Sequence, residues 1–144
     1  MSSITLSREQ RLSLLAAACP DELIEVADRC LARTDDFSVV VSPQVGCISA
    51  QVREPIMKER FLLADVLGCR AEVELNGVRG WAMRLGDDRA AVLAMAVLDA
   101  AAAAGPELAD GIDELCGRVA ERIRLAEAQE WDELAATVVE FEEL

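Results

Sequence analysis

The 144-residue chain contains no histidine and no tyrosine, and Lys58 is its only lysine. Without histidine, the chain lacks the usual general base near neutral pH and the most common metal ligand. A Ser-His-Asp or Cys-His catalytic device therefore cannot be built within one chain. General acid or base chemistry would fall to carboxylates, to Lys58 or to cysteine.

Aromatic residues are also scarce, at 3% of the chain, although 53% is hydrophobic. Alanine, valine, leucine and isoleucine must therefore fill the core. A chain of this length and apolar content can bury a real core, and we expect a single domain over residues 1–144.

The five cysteines are too far apart for a CxxC redox or zinc motif, since no two lie within four residues of each other. Their number is odd and no signal peptide opens the chain, so we expect reduced thiols in a cytoplasmic protein. We expect no metal and no cofactor in this chain. The longest apolar run, over 90–104, is interrupted by Asp99 and is too short to span a bilayer.

The net charge is −13. Long-range repulsion opposes binding to nucleic acid, to anionic membranes and to a phosphate-rich substrate without a local basic pocket. The last 39 residues, from Pro106, carry 12 acidic residues and 3 arginines, which is −9 of the total. Such a segment is usually a solvated face, but it could also match a basic partner.

Hydrophobic periodicity predicts helices in the first third of the chain and strands after them. Helices are predicted over 7–18 and from Pro20, because proline suits a first helical turn. Strands are predicted over 37–42 and 45–52, and the segment 59–67 could be a strand or irregular.

Asn76-Gly77 gives the clearest local signal, a two-residue hairpin turn between strands over 69–75 and 78–85. The turn predicts a register that points one set of side chains to the core and the other set away from it. The pairs on the second face are Glu74 with Arg79, Glu72 with Trp81, and Arg70 with Met83.

The second half of the chain is predicted to be mostly helical. Asp87 or Asp88 caps a helix that runs to about Ala104, and Gly105 ends it. Pro106 is predicted to begin another helix, followed by a short β-like segment over 137–141. This order indicates an α+β fold, with a mainly antiparallel sheet and N-terminal and C-terminal helices packed on it.

Several short motifs suggest a family. They are Glu59-Arg60-Phe61, Cys69-Arg70-Ala71, Gly80-Trp81, Leu85-Gly86-Asp87 and Leu98-Asp99-Ala100, with Ala135-Ala136-Thr137-Val138-Val139-Glu140-Phe141 near the end. In these segments the chain resembles the phosphonate-metabolism protein family PhnG, the G subunit of the bacterial carbon–phosphorus lyase core complex. It departs from that pattern at Cys69, where Thr is more common, and at Val138, where a basic residue is expected.

The resemblance implies a subunit role in phosphonate catabolism and phosphorus assimilation. Proteins of this family belong to a complex that exchanges the adenine of ATP for a phosphonate, giving a ribose 1-phosphonate 5-triphosphate. The implied partners are the other lyase subunits, and we expect the isolated chain to form a homo-oligomer. A chain of charge −13 without histidine suits a non-catalytic or co-catalytic transferase subunit, so we expect no complete active site.

The candidate residues for binding a substrate or a partner are Glu59, Arg60, Arg70, Trp81, Met83 and Asp99. Trp81 and Met83 could form a partner interface, since tryptophan and methionine are enriched there, or could be core residues of a sheet covered on both faces.

Each charged candidate has both a binding and a structural interpretation. Arg60 and Arg70 could bind a phosphate or a carboxylate through the guanidinium fork, or could form structural bridges to Asp65 or Asp99. Asp99 could be a site carboxylate, an inter-subunit partner, or half of an internal ion pair.

Two other functions stay open on the sequence alone. One is a freestanding small enzyme that uses cysteine or carboxylate chemistry, and the other is an acidic adaptor unrelated to phosphonates. The freestanding enzyme predicts turnover without partners and a reactive thiol of low pKa.

Overall fold

The computed structural model describes residues 5–142, and their side chains except those at 50, 63 and 138–142. Within this range the chain forms four helices and three strands. In order they are α1 Arg8–Ala16, α2 Pro20–Leu31, β1 Phe37–Arg53, β2 Arg60–Leu75, β3 Val78–Leu85, α3 Arg89–Ala104 and α4 Ile112–Glu142. The predicted α+β fold class is confirmed.

The first three helices begin where the local sequence indicates. Ser7 caps α1 by accepting a hydrogen bond from the Gln10 backbone, and the Gln10 side chain accepts one from the Ser7 backbone in return. Pro20 occupies the first turn of α2. Asp88, the second of the two predicted caps, accepts from the Ala91 N–H at 3.0 Å and starts α3.

The sheet is antiparallel, in the order β1-β2-β3. Asn76 and Gly77 have φ values of 51° and 79°, as a type I′ hairpin turn requires. The predicted register of the β2–β3 hairpin is confirmed at every pair, from Leu75 opposite Val78 to Arg70 opposite Met83.

Helix α3 lies at the centre of the fold. It packs on β2 and β3 with one side and on α2 with another, and nearly all of its residues from Ala91 to Ala101 are buried. A helix that is apolar around most of its circumference suits such a position. Because five of these eleven residues are alanine, the helix backbone approaches the sheet closely, which explains how a core can form with so few aromatic residues.

Three sequence predictions are corrected by the structure, and one that the sequence left open is settled. The strands expected over 37–42 and 45–52 are one strand, β1, since Pro43 lies on an edge strand where its missing N–H is tolerated. Segment 59–67 was left open, and from Arg60 it belongs to β2. Pro106 does not begin a helix: turns follow it, and α4 starts at Ile112.

The β-like segment predicted over 137–141 is also wrong, because α4 continues through it to Glu142. The β-branched residues that prompted the prediction have only a weak preference against helix.

Two parts of the chain extend beyond the packed helices and sheet. Residues 47–53 and 60–67 pair with each other, but β3 reaches β2 only from Gly68 onward. This two-stranded ribbon is called the arm here. In α4, every residue from Glu121 to Thr137 is exposed. No described helix is long and apolar enough to cross a membrane.

Candidate functional site

The sheet has one covered face and one open face. Alternate residues Ala71, Val73, Leu75 and Ala82 are fully buried beneath α3. On the opposite side, Trp81 is half-buried and Met83 is 39% exposed. Arg70 and Arg79 on this side are also exposed, and we call it the outer face. The alternative of a sheet covered on both faces, with Trp81 in the core, is therefore wrong for the described chain.

The outer face contains a shallow cleft of about 220 Å³ where β1, β2 and β3 run side by side. Its lining combines apolar atoms with the polar ends of two side chains, Gln44 and Arg70, and with the exposed thiol residue Cys47. Ile48 closes one end by packing over Gly68, where any side chain would collide with it. The cleft is open and small, so it suits a side chain or a compact anion better than a nucleotide.

Arg70 lies at the edge of this cleft with its charge uncompensated by any described carboxylate. Its Nε and one terminal nitrogen both donate to Gln44 Oε1, each at 3.4 Å. Among the described residues it forms no salt bridge. The predicted structural bridge from Arg70 to Asp65 or Asp99 is absent there, and the guanidinium can accept an anionic partner.

Asp99 is placed by α3 on the covered side of the sheet, not in the cleft. It is 1% exposed, and its oxygens accept from Arg8 at 3.0 and 2.7 Å, while Arg11 lies 3.8 Å away. It also accepts from the backbone N–H of Trp81 at 2.9 Å. In the confirmed register this amide points away from β2, so Asp99 satisfies a donor on the free edge of β3.

The Asp99 contacts are all internal to the chain and fully explain a buried carboxylate. Hydrogen bonding to Asp99 and its negative charge raise the pKa of Arg8 above its ordinary value. The cluster fastens α1 and α3 to the strand that carries Trp81, so Asp99 supports the outer face from behind without reaching it.

Glu59 and Arg60 lie at the far end of the arm. Ten residues of strand separate Arg60 from Arg70, which corresponds to roughly 30 Å. The structure therefore places the candidate residues at three separate locations. Arg70, Trp81 and Met83 share the outer face, Asp99 lies behind it, and Glu59 with Arg60 lies at the tip of the arm.

The five cysteines are free thiols in the structure, and three of them are buried. Burial raises the pKa values of the Cys30, Cys69 and Cys116 thiols, which disfavours the thiolate form at neutral pH. No group of three metal-ligating side chains comes together in the described part of the chain.

Sequence reasoning missed Arg84, which joins the hairpin to α1. Its terminal nitrogens donate to the carbonyls of Leu15, Ala16 and Ala18 at 2.8 to 3.2 Å, where α1 ends. The sequence did contain a signal for Arg84. Side chains alternate between the two faces of β3, so the alternation that buries Ala82 also turns Arg84 toward the covered side. The Asp99 partners Arg8 and Arg11 had no such signal, since 88 or more residues separate them from it in sequence.

These features define a class: a small α+β protein with a one-sided antiparallel sheet, an open face and two extensions. A family model described as "Phosphonate metabolism protein PhnG" matches residues 6–144. The chain belongs to this family and has a role in phosphonate metabolism. None of the curated proteins matches it significantly.

Proposed function

We propose that the chain is a subunit of the carbon–phosphorus lyase complex in the cytoplasm. In that complex it supports the transfer of a phosphonate onto the ribose of ATP, with release of adenine. The observation that carries this proposal is the family match over residues 6–144. The role is that of a non-catalytic or co-catalytic transferase subunit, without a cofactor of its own.

The charge and residue content of the chain favour a subunit that assists catalysis over an enzyme that acts alone. ATP and a phosphonate are strongly anionic, and a chain of charge −13 repels both. The described basic groups are scattered, and the lone lysine, Lys58, lies in the turn at the tip of the arm. The partners would therefore supply the phosphate-binding groups and the catalytic residues.

The outer face is the proposed contact with another lyase subunit. Trp81 and Met83 are residue types enriched at interfaces, and Arg70 beside them has no described carboxylate partner. Arg70 would bind a carboxylate of that subunit, or a phosphate of the substrate held by it. In the isolated chain, the same face would pair with a second copy.

Co-purification tests the proposal. The tagged chain is co-expressed with the other lyase core subunits from the same source and analysed by size exclusion. Co-elution as one complex, lost in Trp81→Ala and in Arg70→Ala, is the expected result. Arg89→Ala, at the exposed first turn of α3, is the matched control and should bind like the wild type.

Other outcomes separate the parts of the proposal. A complex that survives both outer-face changes keeps the subunit role and moves the interface elsewhere. A wild-type chain that elutes alone as a monomer, despite soluble partners, contradicts the subunit role and favours an adaptor. Each variant is first compared with the wild type by circular dichroism, so that unfolding is not mistaken for lost binding.

A further inference from the structure

The outer half of α4 projects from the fold, and Arg122 near its start reaches Glu22 of α2 and Cys19. Its first part is anchored, since Ile112, Leu115, Cys116 and Val119 are buried in the core. From Glu121 to Glu142 it continues for 22 residues, about 33 Å of helix. Isolated helices are marginally stable in water, so a projecting helix of this length gains stability from a surface that covers it.

One side of this helix carries large exposed apolar residues. Ile123 continues the stripe that buries Val119, and Leu134 lies on the same line three turns further on, with Trp131 beside it. Their exposures are 38%, 56% and 72%. Tryptophan exposed to that extent beside a leucine is typical of a binding surface.

Acidic residues interrupt the same line. Glu127 and Glu130 fall between Ile123 and Leu134, at the positions where a helix buried against an apolar surface would carry apolar residues. Both are exposed, and neither forms an ion pair within the described residues. The stripe, defined as Ile123, Glu127, Glu130, Trp131 and Leu134, therefore fits a surface that offers apolar pockets together with positive charge.

A second copy of the chain does not offer that surface on its own α4. The three arginines of α4 are already paired in the described structure. Arg118 and Arg122 lie 3.3 and 2.7 Å from Glu22, and Arg124 lies 2.6 Å from Glu121. Two copies would also bring together two chains of charge −13 along acidic helices.

We propose that the stripe on α4 docks into a helix-sized groove of another lyase subunit, with an apolar floor for Trp131 and Leu134 and arginine or lysine opposite Glu127 and Glu130. This inference rests on the proposed function and adds a second contact, separate from the outer face. The apolar pair supplies most of the affinity, and the carboxylates set the register and the partner.

The test measures binding of the purified chain to the co-expressed remaining lyase subunits. A double change, Trp131→Ala with Leu134→Ala, should weaken binding by at least about tenfold. Glu127→Arg with Glu130→Arg should weaken it similarly, and Glu127→Gln with Glu130→Gln should flatten its dependence on salt. All of these side chains are exposed, so the fold of the isolated chain should not change.

Matched controls lie on the opposite side of the same helix. Leu125→Ala and Asp132→Asn remove an exposed leucine and an exposed acid outside the stripe, and should bind like the wild type.

A complex that forms normally with both stripe variants overturns this inference and leaves the subunit role intact. The inference is also overturned if the stripe variants change only self-association of the chain. If the wild-type chain forms no complex, the proposed function fails, and this inference fails with it.

Discussion

At the residue scale, Asp99 connects three elements through one carboxylate. It pairs with two arginines of α1 and accepts the edge amide of Trp81, while being itself 1% exposed. The Leu98-Asp99-Ala100 motif of the family resemblance thus has a structural explanation. The carboxylate accepts the hydrogen bond that a fourth strand would accept at one position of the β3 edge, and it neutralises Arg11, whose side chain is only 15% exposed.

Asp99→Asn should destabilise the fold by about 3 kcal/mol, at the low end for a broken buried ion pair, because Arg8 is 58% exposed and can regain water. The measurement is urea unfolding followed by circular dichroism. Glu74→Gln is the control, since it breaks the exposed pair with Arg79 and should cost under about 1 kcal/mol. Equal effects of the two changes would contradict a structural role for Asp99.

Gly80 explains the other half of the Gly80-Trp81 motif. A Cβ at Gly80 would lie 2.6 Å from the Ala100 backbone nitrogen and would meet the Ala96 carbonyl oxygen, and backbone cannot move aside. Gly80→Ala should therefore cost about 3 kcal/mol or more in unfolding free energy through overpacking.

Gly117→Ala is the matched control, since the space around that helical glycine is open. It should stabilise the chain by about 0.5–1 kcal/mol through helix propensity. Unchanged urea midpoints in both glycine variants would show that α3 does not press on β3 as described.

At the element scale, α2 and α4 are joined by Glu22, which lies near both Arg118 and Arg122. The hydrogen bond from Arg122, followed by that from Arg118, lowers the pKa of Glu22 below its usual value. Because the folded pKa is the lower one, the stabilisation is complete above the ordinary glutamate value. It is lost as pH falls through the lowered pKa.

Glu22→Gln should therefore reduce stability at neutral pH, and its difference from the wild type should shrink in acid. The measurement is the urea midpoint of both proteins from about pH 7 to about pH 3. Glu25→Gln, an exposed change in the same helix, should show no such convergence. A Glu22→Gln difference that grows toward acid would contradict the assigned sign.

The arm is the least supported element of the sheet. Two strands without a third, or without a covering helix, are only marginally stable in water. The amides of 47–53 and 60–67 should therefore exchange hydrogen faster than those of β2 beneath α3, as measured by mass spectrometry on the isolated chain. Equal protection in both regions would mean that something covers the arm.

At the scale of the whole molecule, the proposed pairing of two copies through the outer face would have to overcome the repulsion between chains of charge −13. Salt screens the repulsion and leaves the apolar term. The isolated chain should therefore associate more strongly at about 0.5 M salt than at about 0.05 M, as measured by light scattering after size exclusion.

Trp81→Ala should shift this equilibrium toward monomer at both salt concentrations, and Leu125→Ala on α4 should leave it unchanged. Oligomers that dissociate as the salt concentration rises would show that ion pairs, and not the outer face, hold the copies together.

Short segments of the sequence were sufficient to predict much of the fold. Asn76-Gly77 determined the hairpin register, because the turn requires positive φ at both positions, and Ser7, Pro20 and Asp88 marked helix starts through capping and ring geometry. The absence of histidine limited the chemistry, and the motifs indicated the family. The absence of histidine is a property of the whole composition. The turn, the caps and the motifs each depend on residues that are close in sequence.

Tertiary structure decided what depends on distant residues. The side of the sheet that stays open, the internal partners of Asp99 and the separation of Arg60 from Arg70 arise from contacts across more than half of the chain, or from strand length. The end of α4 shows the same limit, since Thr137 and its β-branched neighbours favour a strand locally while the helix continues through them. The local turn placed Arg70, Trp81 and Met83 on one face, but only packing, which no short window contains, decided that this face stays uncovered.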